Sequence, residues 1–228
     1  MTSRTVLSTL LRMYRPILLG FGATLVVGLG LVDLAFGLLT EPGFSLWMFV
    51  AGSAVKYWLG VIGVMLVTLH LRQFVAAGVT RRTVVAGGAA FGVLVSVGVA
   101  VLIPLGHGLE DKALGAVSAD YPAWSPPVAV GEFGHVLPVC LAFFVSGAAV
   151  AAGFYRFGAG IGLALLVPAV LPGLLAEELL GNGGSGEVLT RDLPYPGALA
   201  VSLGVTVLGA LLCQREMRDV AIRRAKTG

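Results

Sequence analysis

The chain has 228 residues, 57% of them hydrophobic and only 12% charged, with a mean hydropathy of +0.94. A soluble domain carries about 25% charged residues, so the composition excludes one and predicts a polytopic membrane protein with a single transmembrane domain over residues 1–228. The net charge of +3 comes from bases at the ends of apolar runs, not from a stripe with interleaved aromatics, which argues against nucleic acid as a partner.

Residues 3–15 read as an amphipathic helix. Arg4, Ser8, Arg12 and Arg15 recur at intervals of three and four, opposite Val6, Leu7, Leu10, Leu11 and Tyr14. Such a helix suits the membrane interface, its arginines near lipid phosphates, with Pro16 bending the chain into the first span. That span covers residues 17–39, too long an apolar run for a cleaved signal peptide. Thr40, Glu41, Pro42 and Gly43 form a tight outer turn, and Trp47 suits the outer interface. The second span covers residues 46–70.

Residues 70–87 then make a charged, glycine-broken stretch that cannot lie in hydrocarbon. Arg72, Arg81 and Arg82 place it on the cytoplasmic side, Gly78 is suited to a left-handed helix end, and Thr80 can cap the next helix. The expected form is an elbow that exposes Leu71, Phe74 and Val75 beside the arginines. A third span follows at residues 83–105. Residues 106–134 form a long outer segment carrying Glu110, Asp111, Asp120 and Glu132, read as a loop or a short helix resting on the interface.

The fourth span covers residues 135–155, and Arg156, Phe157 and Gly158 make a very short inner turn. The fifth covers residues 159–176. Pro168 and Pro172 should kink or break its outer half, leaving residues 174–180 as a separate short helix before a glycine-rich loop at 181–186. The sixth covers residues 197–213. With six spans, the bases Arg4, Arg12, Arg15, Arg72, Arg81, Arg82, Arg156 and those of the tail fall on one side, leaving Lys112 and Arg191 on the other. Both termini are therefore expected in the cytoplasm.

Chemistry is sparse. His70, His107 and His135 lie at two different surfaces and lack zinc-ligand spacing, so no metal or cofactor is expected. The Glu177–Glu178 pair resembles that of intramembrane CAAX-type proteases, but Asn182 stands where their arginine would be. Ser53 lacks the GxSG setting of rhomboid proteases, and no lysine sits in a phosphate-binding loop. Cys140 and Cys213 fall near opposite ends of their spans, too far apart to bridge. Two charges lie inside spans, Asp33 and Lys56. They either pair with each other within the bundle or reach separately toward headgroups and water.

Four features together resemble the membrane subunits of type-2 ABC exporters. They are the interfacial helix at residues 3–15, the elbow sequence built on Phe74, Ala77, Gly78, Val79, Thr80, Arg81, Arg82 and Gly87, the proline-rich fifth span with a polar outer stretch, and six spans with both ends inside. The resemblance implies a permease subunit of the bacterial plasma membrane that works with a second permease copy or homologue. Hydrolysis would fall to a separate ATP-binding cassette subunit. The elbow would dock on that subunit, with Leu71 and Phe74 as apolar anchors and Arg72, Arg81 and Arg82 on its acidic groups. Glycine runs such as Gly158 to Gly162 allow helices to approach closely and shift as rigid bodies. Few polar groups within the spans lean toward a hydrophobic or amphipathic cargo. The alternative is a polytopic membrane protein that transports nothing, such as a sensor, anchor or assembly factor.

Overall fold

A computed structural model describes residues 2–32, 35, 44–114, 123–180 and 193–218, and these are all-helical apart from short connections. Helix α1 (Ser3–Ala23) is capped by Thr2, whose side chain accepts the Thr5 amide, and passes into a π-helical turn (Thr24–Leu29). Helix α2 (Leu46–Met65) runs through a second π-helical turn (Leu66–His70) into the short α3 (Leu71–Ala76). Three long helices follow: α4 (Arg81–Leu114), α5 (Pro126–Leu180) and α6 (Tyr195–Arg218). Among the described residues, five helical stretches are long and apolar enough to cross a membrane, which fits a polytopic membrane protein.

Helix α5 cannot be one crossing. Its 55 residues at about 1.5 Å each would span roughly 80 Å, against about 30 Å of hydrocarbon. The chain folds at Gly158, whose φ of 79° and ψ of −173° are open to glycine but strained for other residues. Residues 159–180 then return antiparallel to residues 126–157. The Gly173 amide donates to Ser146 Oγ at 3.0 Å, and His135 Nδ1 meets the Leu180 carbonyl at 3.0 Å. A turn is thus present at Arg156, Phe157 and Gly158, where one was expected.

The expected break at Pro168 and Pro172 is not. Both prolines lie inside the helix, and residues 174–180 continue it rather than forming a separate helix. A proline frees polar groups in the preceding turn, and a neighbouring helix can satisfy them. Just past Pro172, Ser146 Oγ on the first leg of the hairpin accepts the Gly173 amide and ties this part of the helix to its neighbour.

The outer segment is also more helical than expected. Helix α4 continues past residue 105 to Leu114, and α5 starts at Pro126 rather than near residue 135. A loop or a short helix resting on the interface was the expectation, but His107, Glu110 and Glu132 are buried and engaged with partners, and the long helices carry them. The turn expected at Thr40 to Gly43 and the loop at residues 181–186 lie outside the described residues.

Helix α1 keeps its amphipathic pattern, with Val6, Leu10 and Tyr14 buried and Arg4, Arg12 and Arg15 exposed. Pro16 sits within the helix and does not end it. Protein rather than lipid covers the apolar face: it packs on α4 so closely that a Cβ on Gly87 would lie 2.7 Å from the Val6 Cβ. Trp47 likewise turns inward instead of anchoring at an interface. It is 3% exposed, its Nε1 donates to the Ile103 carbonyl at 2.9 Å, and its ring fills the space beside Gly106.

The tightest seam joins α2 to the first leg of α5. A Cβ on Gly63 would stand 2.2 Å from the Phe144 carbonyl oxygen, and one on Gly147 would stand 1.9 Å from the Gly60 carbonyl oxygen. The two backbones touch there, which only glycine permits. The run from Gly158 to Gly162 makes no comparable helix-to-helix approach. A Cβ on Gly160 would meet nothing within 4 Å, and Gly162 faces Phe154 across the hairpin turn.

Candidate functional site

The elbow between α2 and α4 is built from local sequence. After α3 the chain turns at Gly78, with φ at +80°. The Val79 amide donates to the Phe74 carbonyl and the Gly78 amide to the Val75 carbonyl, both at 3.0 Å. This is the Schellman arrangement, and its usual apolar contact is supplied by Phe74 and Val79, both buried. Thr80 holds the capping position of α4. Its carbonyl accepts the Val84 amide at 3.1 Å, while its hydroxyl bonds to the Thr83 hydroxyl at 2.8 Å instead of to a backbone amide.

Gly78→Ala forces a Cβ onto a left-handed residue that closes two helix-end bonds. A destabilisation of about 1–2 kcal/mol is expected, read as a lower melting temperature, with Gly20→Ala, which meets open space, as the reference.

One expectation about the elbow is corrected. Leu71 and Phe74 are 5% and 7% exposed and belong to the core, so neither is an apolar anchor on the surface. The Schellman closure requires Phe74 to fold under Val79, and Leu71 faces the bundle three residues earlier. What the elbow presents outward is Arg72, Gln73, Ala76, Ala77, Gly78, Thr80 and Arg82, with Val75 and Arg81 partly covered. It is a polar, arginine-bearing knuckle.

Beneath it lies a contact invisible in the sequence. His70 is 7% exposed, and its Nδ1 shares a hydrogen bond with the Tyr14 hydroxyl at 3.1 Å, with the Met65 carbonyl at 3.3 Å. The Tyr14 ring stands 5.0 Å from both His70 and Phe91. The N-terminal helix, the π-helical turn and α4 are therefore tied together just behind the knuckle. The only hint was Tyr14 on the apolar face of α1, and nothing in the spacing connected it to His70.

The intramembrane charge is also reassigned. Lys56, midway along α2, pairs with Glu177 on the second leg of α5, and its Nζ lies 5.2 Å from the Tyr57 ring centroid. Lys56 is 13% exposed, so it does not extend outward to headgroups. Asp33, the partner considered from sequence, lies outside the described residues.

At the end of the bundle away from the elbow, the Glu110 carboxylate closes the start of α2. It accepts the Ser45 hydroxyl and the Trp47 amide, the latter at 3.1 Å, while Ser45 Oγ accepts the Met48 amide at 3.0 Å. An anionic group at a helix N-terminus satisfies open amides and complements the helix dipole. His107 Nδ1 donates to Glu132 nearby along α4. Among the described residues, no three of His, Cys, Asp and Glu gather where they would hold a metal. Cys140 and Cys213 are both buried and free. No protein-family model, curated protein or solved structure matches the chain.

Proposed function

We propose that the chain is the membrane-spanning permease subunit of an ATP-driven exporter, in which a separate ATP-binding cassette subunit pushes on the elbow. Six crossings would result from counting the two legs of α5 separately, with both termini and the elbow on the cytoplasmic face of a bacterial plasma membrane. A second permease copy or homologue would complete a path for a hydrophobic or amphipathic cargo. The supporting observation is the knuckle itself: a rigid Schellman turn carrying exposed Arg72 and Arg82, with its apolar residues folded inward. Exposed charges suit steering and register against an acidic cleft. The buried Tyr14–His70 contact supports the mechanics, because a push on the elbow would reach the N-terminal helix as well as α2 and α4.

Affinity purification from the native host tests this reading. The intact chain should bring down a soluble protein with a phosphate-binding loop, and Arg72→Glu with Arg82→Glu should reduce that capture at least tenfold without altering the melting temperature. Capture unchanged by the double reversal would remove the elbow as the dock. The absence of any ATPase alongside the intact chain would remove the exporter reading.

A further inference from the structure

Helix α2 changes register as it approaches the elbow. Its buried residues Met48, Ala51, Val55, Leu59 and Ile62 recur at steps of three and four, and a second buried set follows at Val67, His70, Leu71 and Phe74. On an unbroken α-helix, at about 100° per residue, the second set would point roughly 110° away from the first. The π-helical turn Leu66–His70 begins between the two sets and takes up that mismatch. The Leu71 amide donates to the Leu66 carbonyl, five residues back instead of four, so the turn holds one residue more than an α turn.

This turn stands between two stiff parts. On one side, α2 meets the first leg of α5 backbone to backbone at Gly60 and Gly63. On the other, the knuckle is closed by its own bonds from the Gly78 and Val79 amides. Any displacement of the knuckle relative to α2 must be absorbed between them. On α4, Gly88 leaves room for the turn, since a Cβ there would lie 2.9 Å from Leu66 Cδ2.

The bonds within the turn have competitors. The Thr68 hydroxyl donates to the Val64 carbonyl at 2.9 Å, a back-bond that weakens and bends helices. His70 Nδ1 lies 3.1 Å from the Tyr14 hydroxyl and 3.3 Å from the Met65 carbonyl. A ring nitrogen carries either a hydrogen or a lone pair, so accepting from Tyr14 and donating to Met65 are alternatives. The first bond ties the turn to α1, and the second ties it to itself.

We propose that the turn Leu66–His70 is the hinge of the elbow. Its surplus residue lets the knuckle swing against α2 while the glycine seam stays closed, and His70 exchanges Tyr14 for Met65 as its partner in the swing. The inference goes beyond the exporter reading and needs no partner, because the motion belongs to this chain alone.

Amide hydrogen exchange on the purified full chain in micelles tests the proposal. The amides of residues 66–71 should exchange at least about tenfold faster than those of residues 84–88 on α4, on the other side of the elbow. Deleting Thr68, which is exposed, removes the surplus residue and should leave an unbroken α-helix with both buried sets in register. That variant should fold with little change in melting temperature and lose the excess exchange. Deleting Leu69, also exposed, repeats the test should the first deletion fail to fold. Deleting Ala86, an exposed residue of regular α4, rotates the chain on one side of it by about 100° and should give no monodisperse protein. Equal exchange of the two stretches in the wild type would overturn the proposal, as would a folded deletion variant that keeps the excess. Failure of both turn deletions to fold, or tolerance of the Ala86 deletion, would overturn it too, because the turn would then hold no surplus residue peculiar to it. None of these measurements involves ATPase capture, so the hinge and the exporter reading fail separately.

Discussion

Gly147→Leu should prevent the bundle from assembling, giving little or no monodisperse protein after detergent extraction. The reason is geometric. The Gly147 Cβ position lies 1.9 Å from the Gly60 carbonyl oxygen and 2.7 Å from the Gly60 carbonyl carbon, so the obstacle is backbone that cannot rotate away. Overpacking against movable side chains costs about 1–3 kcal/mol. Here α2 and the first leg of α5 would have to separate, and a membrane-type seam has little else to hold it once close packing is lost. Gly147→Ala already places a Cβ in that position and should lower the melting temperature clearly. Gly63→Ala should behave alike, its Cβ falling 2.2 Å from the Phe144 carbonyl oxygen. Gly98→Ala on α4 meets nothing within 4 Å and should be neutral. Equal behaviour of Gly147→Ala and Gly98→Ala in a thermal unfolding series would refute the seam.

Backbone chemistry made parts of this fold legible in advance. Gly78 and Gly158 were readable because a short turn between long apolar runs needs a residue that tolerates positive φ, and both adopt it. The amphipathic face of α1 was readable from its period, although not what would cover it. Periodicity reports that a face is buried, not whether lipid or protein buries it, and the Val6–Gly87 contact is long-range. The same limit applies to the elbow. Leu71 and Phe74 lie beside arginines in sequence, which suggested a mixed exposed surface, yet the Schellman closure segregates them to opposite sides. Proline misled at residues 168 and 172 because its local effect was counted without the packing of this leg on the adjacent one, where Ser146 Oγ accepts the Gly173 amide. The buried carboxylates Glu110 and Glu132 were read as part of a loop or short helix at the interface for a similar reason. Their partners, Ser45 and His107, are 65 and 25 residues away in the chain. For the candidate site, then, the sequence located the arginines of the knuckle, whereas the Tyr14–His70 tie behind it depended on packing among three elements.

The Lys56–Glu177 pair gives the second large effect, and its sign pattern separates a true pair from two charges that happen to be close. Helix α2 touches the first leg of α5 through glycine and the second leg through this ion pair, so the pair fixes where the hairpin sits against α2. Removing one partner leaves the other charged group with less compensation in an apolar setting. For fully buried pairs that loss is about 3–5 kcal/mol, and it falls where solvent or headgroups reach the site. Glu177 is 31% exposed, so about 1–3 kcal/mol is the appropriate range for Lys56→Met or Glu177→Gln alone. The double variant carries neither charge and should recover most of the loss, because an apolar Met beside a neutral amide has no stranded ion to solvate. A coupling of about 1 kcal/mol or more, measured by reversible unfolding in mixed micelles, is the expected result. Strictly additive losses would mean that Lys56 and Glu177 are each stabilised by something else and that the hairpin is positioned by its glycine seam alone. Coupling together with intact ATPase capture would instead make the pair a structural strut, leaving the arginine knuckle to receive any mechanical input.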